Sequence, residues 1–336
     1  MPGTFGGFPF DEEIFNRTWQ SVPDLVSTAL LTSGAMVEDS AIASQIAGGS
    51  NTYTTPFYGL LAQNAPENYD GATDIKTDTL SGTSESGVVF GRMHGWSADQ
   101  FVGDFGTGVN PMGAIAGKVA GYWSHYRQNT IISILEAVLG VSGMSTHTVT
   151  AASLTATTVS DAACSIYGQH KDQLALAIMH SNVAQAFEDM ERVEYLKQTD
   201  ANGIQRALPI YQVNGLTVIV DDGVGGTAAV TDPSTGNVTT PATYNTYLLA
   251  NGSLRHASAP VTQPVELFRD PKTRGGVDML FTRERETIHP NGFSYKLPAS
   301  CVSPTDAQLA AKGNWSLVAD AAAVPIAKLI TPGFAV

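Results

Sequence analysis

The 336-residue sequence predicts an α+β protein with two limbs that do not belong to its body. Three observations carry this. A single helical period runs unbroken for 29 residues, short strand-type segments surround it on both sides, and the first 90 or so residues hold too little apolar material to bury a core of their own. Residues 1 to 46 mix Gly and Phe (Phe5, Gly6, Gly7, Phe8, Phe10) with an acidic patch at Asp11, Glu12 and Glu13 and a short apolar stretch from Leu25 to Leu31. They are expected to form an arm that packs on something else. From about 48 to 100, β-favouring stretches at Asn51 to Leu61 and Gly87 to Arg92 flank a polar segment with Asp70, Asp74, Lys76, Asp78 and Glu85. This predicts a long hairpin reaching away from the body.

Asn110-Pro111 combines an N-cap residue with a proline at the first helical position, and Gly140 is a natural stop. Between them Ile115, Val119, Tyr122, Tyr126, Ile131, Ile134 and Val138 form one apolar stripe. Residues 111–139 would make a rod of about 43 Å, a spine for the molecule. An α/β stretch follows. Ser160 is expected to cap a helix to about His170, Leu174 to Met179 is a strand, and Ser181 is expected to cap a second helix to about Val193. Leu208 to Val213 and Leu216 to Val220 flank Asn214-Gly215, a strong hairpin signal. Gly223 to Thr243 reads as a surface loop and Tyr247 to Ala250 as a returning strand.

Val265 to Tyr295 alternates with period two. Val277, Met279, Phe281, Arg283 and Arg285 share one face, and Asp278, Leu280, Thr282, Glu284, Glu286 and Ile288 the other. Ser303-Pro304 with Asp306 starts a short helix, and Pro325 to Thr331 is the last strand.

Composition narrows the function. A formal charge of −13 argues against a dedicated nucleic-acid binder, which needs a basic footprint. Charged residues are 15% of the chain and hydrophobic ones 43%, so polar side chains are scarce for covering a lone subunit's surface, and faces buried against partners are expected. Cys164 and Cys301 are far apart and in no C-x-x-C spacing, which gives neither a disulfide framework nor a thiolate metal site and fits a reducing cytoplasm. No apolar run approaches the roughly 18 residues of a membrane span, and Met1 to Phe10 lacks the pattern of a secretory signal.

Chemistry-bearing motifs are weak. Asp221-Asp222-Gly223 closes an apolar strand, a place where catalytic carboxylates occur, but Asp-Gly after a strand is ordinary turn chemistry. Seven histidines include no pair at i, i+4. Gly103, Gly106 and Gly108 lack the Gly-Lys-Ser/Thr ending of a phosphate loop, and no G-x-S-x-G elbow occurs. The expectation is no catalytic residue, no metal and no cofactor; an α/β enzyme built on Asp221, Asp222 and His180 is the alternative of another class. Charge layout says more. Residues 1 to 85 hold eleven acids and two bases, a net of −9, whereas residues 255 to 296 hold seven bases and five acids, a net of +2. An acidic projection beside a mildly basic strand region is how a head-to-tail contact between copies would be written, and charge alone is equally met by two solvated faces of unequal charge.

The order arm, acidic hairpin, spine helix, α/β domain and return strand resembles the major capsid proteins of tailed bacteriophages, the Hong Kong 97-type fold. Local matches to that coat-protein family are Gly95-Trp96-Ser97-Ala98-Asp99, Val119-Ala120-Gly121-Tyr122-Trp123, Ile131-Ile132-Ser133-Ile134-Leu135, Ala177-Ile178-Met179-His180-Ser181, Val218-Ile219-Val220-Asp221-Asp222-Gly223 and His289-Pro290-Asn291-Gly292, within roughly residues 25 to 332. The resemblance implies an N-terminal arm over 1–47, an extended loop over 48–100, a peripheral domain over 101–150 with its return strands at 255–300, an axial domain over 151–254, and a C-terminal segment, 301–336, on the axial domain. It implies a virion shell of pentamers and hexamers around double-stranded DNA, assembled in the bacterial cytoplasm, with a portal as partner and no membrane. An inner wall without strong positive charge would hold DNA without adsorbing it.

By that resemblance Asp70, Asp74, Asp78 and Glu85 of the extended loop meet Arg269, Lys272, Arg274, Arg283 or Arg285 of the next subunit. Because the arm begins almost at Met1, a separate scaffolding protein is expected. Some family members cross-link a loop lysine to a peripheral asparagine; Lys76 and Asn291 are the nearest candidates, but Asn291-Gly292 is equally a plain turn, so non-covalent stability or a cement or decoration protein is expected instead. An encapsulin-like compartment, sharing the fold but enclosing an enzyme, is the second alternative.

Overall fold

A computed structural model describes residues 3–5, 8–10, 30, 33–58, 64–71, 73–79, 82–99, 111–190, 193–199, 205–213, 215–231 and 238–332. Two sheets share one long helix. The larger, eight-stranded sheet runs in the order Thr148–Thr150, Ile326–Pro332, Thr243–Ala250, Leu174–Met179, Leu216–Val220, Gln205–Val213 and Val193–Thr199, with Gly226–Thr227 added beside Thr243–Ala250. It is mixed: Leu216–Val220 pairs parallel with Leu174–Met179, and Thr243–Ala250 pairs antiparallel with the same strand. The smaller sheet is built on the 14-residue strand Val277–Pro290. One side of that strand carries Phe90–Asp99 over its first ten residues. Val265–Asp270 and Leu254–Ser258 pair with its two ends, and Met36–Glu38 adds in parallel beside Leu254–Ser258.

The spine helix spans Pro111–Leu139, as its signals predict; its N-cap Asn110 lies outside the described residues. Its two halves face different partners. Val119 and Trp123 pack on Val265 and Leu280 of the small sheet. Ile131, Ile134, Leu135 and Val138 enter the main core with Leu176, Ile178 and Leu249 of the large sheet and Phe90 and Ile288 of the small one. One residue of the expected stripe is displaced: Tyr122 is 40% exposed and Trp123 is buried, because four residues on from Val119 is closer to a full turn than three. The even face of Val277–Pro290 is the one turned to this helix, where Trp123 Nε1 donates to Thr282 Oγ1 at 3.1 Å.

Several boundaries move. The first axial helix is Thr158–Tyr167, three residues earlier than a Ser160 cap allows, and it continues as a 3-10 segment through Gln173. The second, Ser181–Asp189, is capped by the His180 side chain, which accepts from the Asn182 N–H, and Val193 opens a strand where helix was expected. The expected 223–243 loop contains a small hairpin, Val230–Thr231 against Val238–Thr240. The late helix Asp306–Leu309 starts from a Thr305 capping box closed by Gln308. Residues 90–99, counted with the extended loop by sequence, pair along the small sheet. The last strand, Ile326–Pro332, sits inside the large sheet between Thr148–Thr150 and Thr243–Ala250.

Candidate assembly surface

The hairpin expected at 48 to 92 is Thr52–Tyr58 paired with Gly82–Val88, from Thr52 opposite Val88 to Tyr58 opposite Gly82. Its root is fastened to the small sheet's outer face. The Tyr53 and Thr287 hydroxyls are 2.9 Å apart, Arg285 donates to the Ser50 carbonyl, and the Ser86 N–H donates to Ser294 Oγ at 3.0 Å. Tyr53 lies flat across Gly87, where a Cβ would fall inside its ring. Gly87→Ala is therefore expected to push the ring out and cost about 1–3 kcal/mol in subunit stability, read by denaturant melting.

Glu85 corrects an expectation. It is 1% exposed and belongs to this root, not to the projecting tip. Its carboxylate accepts from the Gly292 N–H at 2.8 Å, with Arg255 Nη1 at 3.5 Å and His289 Nε2 at 3.6 Å. A carboxylate so enclosed needs its compensation within the chain. The sequence counted it with its acidic neighbours because spacing alone does not tell root from tip.

Beyond the root every described residue from 64 to 71 and from 73 to 79 is exposed. Asp70 turns the tip, accepting from the Thr73 N–H and hydroxyl, both at 2.7 Å. Asp78 accepts twice from Asn64 Nδ2 at 3.1 Å, and Lys76 pairs with Glu67 at 2.9 Å. Tyr69 is 101% exposed and Ile75 83%. The tip thus carries Asp70, Asp74 and Asp78 with two apolar side chains, all exposed among the described residues.

The basic residues singled out by sequence lie on and beside the small sheet. The odd face of Val277–Pro290 is covered at one end by the limb root, and Met279, Phe281 and Arg283 further along it are half-buried. Phe268 stands opposite Met279 and Met93 opposite Arg283; both are exposed. Arg283 leans on Glu266 at 2.8 Å and Arg285 on the Pro260 and Ser50 carbonyls. At the far end the loop between Val265–Asp270 and Val277–Pro290 holds Lys272 and Arg274 in solvent, braced by Asp270, which accepts from the Lys272 N–H at 2.9 Å and from the Thr273 hydroxyl at 2.5 Å. Arg274 sits at φ 51° and reaches Asp99 at 3.1 Å. Arg269 is exposed on the neighbouring strand. The structure therefore groups the five basic residues along one sheet, and in a single chain keeps them from the tip acids. Lys76 lies on the tip, whereas Asn291 is at the turn before Phe293–Tyr295, where its Oδ1 accepts from Arg255 Nη2 at 2.7 Å and Gly292 takes φ 92°.

His180, Asp221 and Asp222 do converge at the strand ends. Asp222 Oδ1 is 3.6 Å from His180 Nδ1, but its carboxylate is engaged by Ser181, whose hydroxyl first and backbone N–H second hold its pKa below the ordinary carboxylate value. Asp221 accepts from the Gly223 N–H and from Gln128 of the spine. All three side chains serve backbone turns and the packing of the helix on the sheet.

A missed group is the charged knot under the spine: Arg127 reaches Glu286 at 2.9 Å and Glu284 at 3.4 Å, and His256 Nε2 lies 3.1 Å from the same Glu286 oxygen. Burial pushes the Glu286 pKa up, but the His256 hydrogen bond and the Arg127 and His256 charges together outweigh it and hold the carboxyl below its ordinary value.

A spine helix joining two sheets, with a fastened root and a bare tip, is the architecture of a Hong Kong 97-type capsid subunit. Solved structures agree: the capsid of Ralstonia phage GP4 superposes with a TM-score of 0.52 at 6% identity, covering 85% of each chain. The acid-stable capsid of the Helicobacter pylori bacteriophage KHP30 gives 0.52 at 8% identity over 88% of this chain and 87% of that one. The chain belongs to the Gp13-like family, major capsid protein 13-like, whose model matches residues 32–323. It is 27% identical to the major capsid protein of Bacillus phage SPP1 over 327 residues, 93% of this chain and 91% of that protein. It is a structural protein, the major capsid protein of a tailed phage.

Proposed function

We propose that copies of this chain assemble as pentamers and hexamers into an icosahedral head around double-stranded DNA, the tip of each limb lying on the small sheet of a neighbour. The observation that supports this most is the split between a tip whose described residues are all exposed, Tyr69 and Ile75 included, and a sheet that exposes Met93 and Phe268 beside a half-buried Arg283. Acids Asp70, Asp74 and Asp78 on one copy complement Arg269, Lys272, Arg274, Arg283 and Arg285 on the next. A contact between unlike surfaces propagates around a ring where a two-fold contact would stop at a dimer. Shell interfaces of this kind bury on the order of 2,000 Å² or more, which suits a chain so poor in charge. A separate scaffolding protein would set the curvature, a portal would occupy one vertex, a cement or decoration protein would add to non-covalent stability, and assembly would take place in the host cytoplasm.

The test is to replace residues 64–79 by a short Gly-Ser turn, leaving Glu85 and the root intact. The expected product is soluble, folded subunits or capsomers with an unchanged melting curve and no closed particles by electron microscopy. Normal shells from this variant would end the proposal.

A further inference from the structure

The strand Phe90–Asp99 is an edge. Its ladder partner Val277–Pro290 lies on one side, and the register is continuous from Phe90 opposite Glu286 to Asp99 opposite Val277. Which backbone groups face the other side follows from the hydrogen bonds. The Arg283 N–H donates to the Pro264 carbonyl and the Arg285 carbonyl accepts from the Ala259 N–H, so both residues direct these groups away from Phe90–Asp99. In an antiparallel ladder their opposite numbers, Met93 and Gly91, must then point N–H and C=O outward, as must Gly95, Ser97 and Asp99 at the same period. Gly91 confirms the phase, since its N–H donates to Ser303 Oγ at 2.9 Å and its carbonyl receives the same hydroxyl at 3.4 Å. The chain's own cover ends there. Met93, Gly95 and Ser97 are exposed, and among the described residues nothing pairs with their outward backbone groups. A long bare edge of this sort is a template for another strand.

The limb tip offers a strand without a ladder. Its arms, 64–69 and 73–79, are held side by side by Asn64–Asp78, Glu67–Lys76 and the Asp70–Thr73 turn, all through side chains, and neither arm forms a backbone ladder among the described residues. The first arm contains Pro66, which suits a ladder poorly. The second, Thr73-Asp74-Ile75-Lys76-Thr77-Asp78-Thr79, alternates β-branched and charged residues with period two. It has seven residues, as has Met93–Asp99, and Lys272 and Arg274 flank the end of that edge at Asp99, where they suit an acidic arrival.

Resting on the limb-to-sheet contact proposed above, we infer that residues 73–79 of one copy add as a strand to the Met93–Asp99 edge of the next, so that the small sheet is completed only between subunits. The mode of docking is then backbone pairing, with the side chains selecting register.

Ser97→Pro separates this from docking by side chains alone. It deletes one outward N–H that no described residue of the same chain uses, so the subunit is expected to fold, checked by circular dichroism and melting, yet to form no closed particles. In parallel, amide exchange of the unaltered protein is followed by mass spectrometry in subunits and in shells. Peptides covering 73–79 and 93–99 are expected to lose their rapid exchange together on assembly. Normal shells from Ser97→Pro, or rapid exchange persisting in either peptide within shells, would overturn strand addition. Should Ser97→Pro fail to fold, the exchange experiment decides alone. These results leave the limb-to-sheet contact itself standing or falling on the 64–79 replacement.

Discussion

Replacing Trp123 by alanine is expected to destabilise the subunit by about 3–5 kcal/mol, measured by urea unfolding of unassembled protein. The side chain is 4% exposed and fills the gap between the spine helix and the small sheet, against Val119, Val265 and Leu280. Its indole N–H also donates to Thr282 Oγ1, on a side chain with no exposure. Trp123→Phe, which keeps most of the ring and loses the hydrogen bond, should fall well short of that. The neighbouring Tyr122→Ala is expected to stay under about 1 kcal/mol, because its ring is stacked on His94 at a 40% exposed position. Equal losses at 122 and 123 would mean that the helix face is not the one described.

Glu286→Ala is the second large effect, again about 3–5 kcal/mol, for a different reason. Glu286 is 5% exposed and is the shared acceptor of Arg127 and His256; removing it takes the nearer carboxylate, at 2.9 Å, from a guanidinium largely withdrawn from water and leaves it Glu284 at 3.4 Å. The pH dependence has a definite sign. The folded-state pKa of Glu286 lies below its ordinary value, so its contribution is complete above the unfolded carboxyl's titration near pH 4.3 and is lost as pH falls through the folded value. Glu136, beside Lys328 and Tyr247, acts in the same direction: burial raises its pKa, but the hydrogen bonds from Lys328 and Tyr247 leave it lowered, with a smaller share of stability because that carboxylate is half in solvent. Melting temperature of the subunit should fall steeply below about pH 4, and Glu286→Gln should flatten that fall. An unchanged acid limb in Glu286→Gln would remove Glu286 from the account.

The elements that sequence located well are those whose signals are local. Asn110-Pro111 with Gly140 bounded the spine to the residue, Leu174–Met179 is a strand as expected, and Asn214-Gly215 joins Gln205–Val213 to Leu216–Val220. Errors came where the deciding partner is remote. Helix was expected on to Val193 because nothing local showed that residues 193–199 would pair with Gln205–Val213. Glu85 is indistinguishable from Asp78 in charge spacing, and only the arrival of Gly292, Arg255 and His289 from two hundred residues away turns it from a surface acid into a buried one. The Arg127–Glu286–His256 knot was invisible for the same reason, although period two in Val277–Pro290 did put Glu284 and Glu286 on one face. The clustering of basic residues on one sheet and that of acids on the tip were both legible, since each is written in residues close in sequence.

The position of Ile326–Pro332 has a consequence in time. This strand separates Thr148–Thr150 from Thr243–Ala250 and hydrogen-bonds to both, with pairs such as Ile330 and Thr150 lying about 180 residues apart. A nascent polypeptide that has already exposed its limb and its edge strand still has a gap one strand in from the border of its larger sheet, where residues not yet translated must insert. The large sheet is completed late, so the limb and the edge strand are synthesised before there is a rigid body to position them.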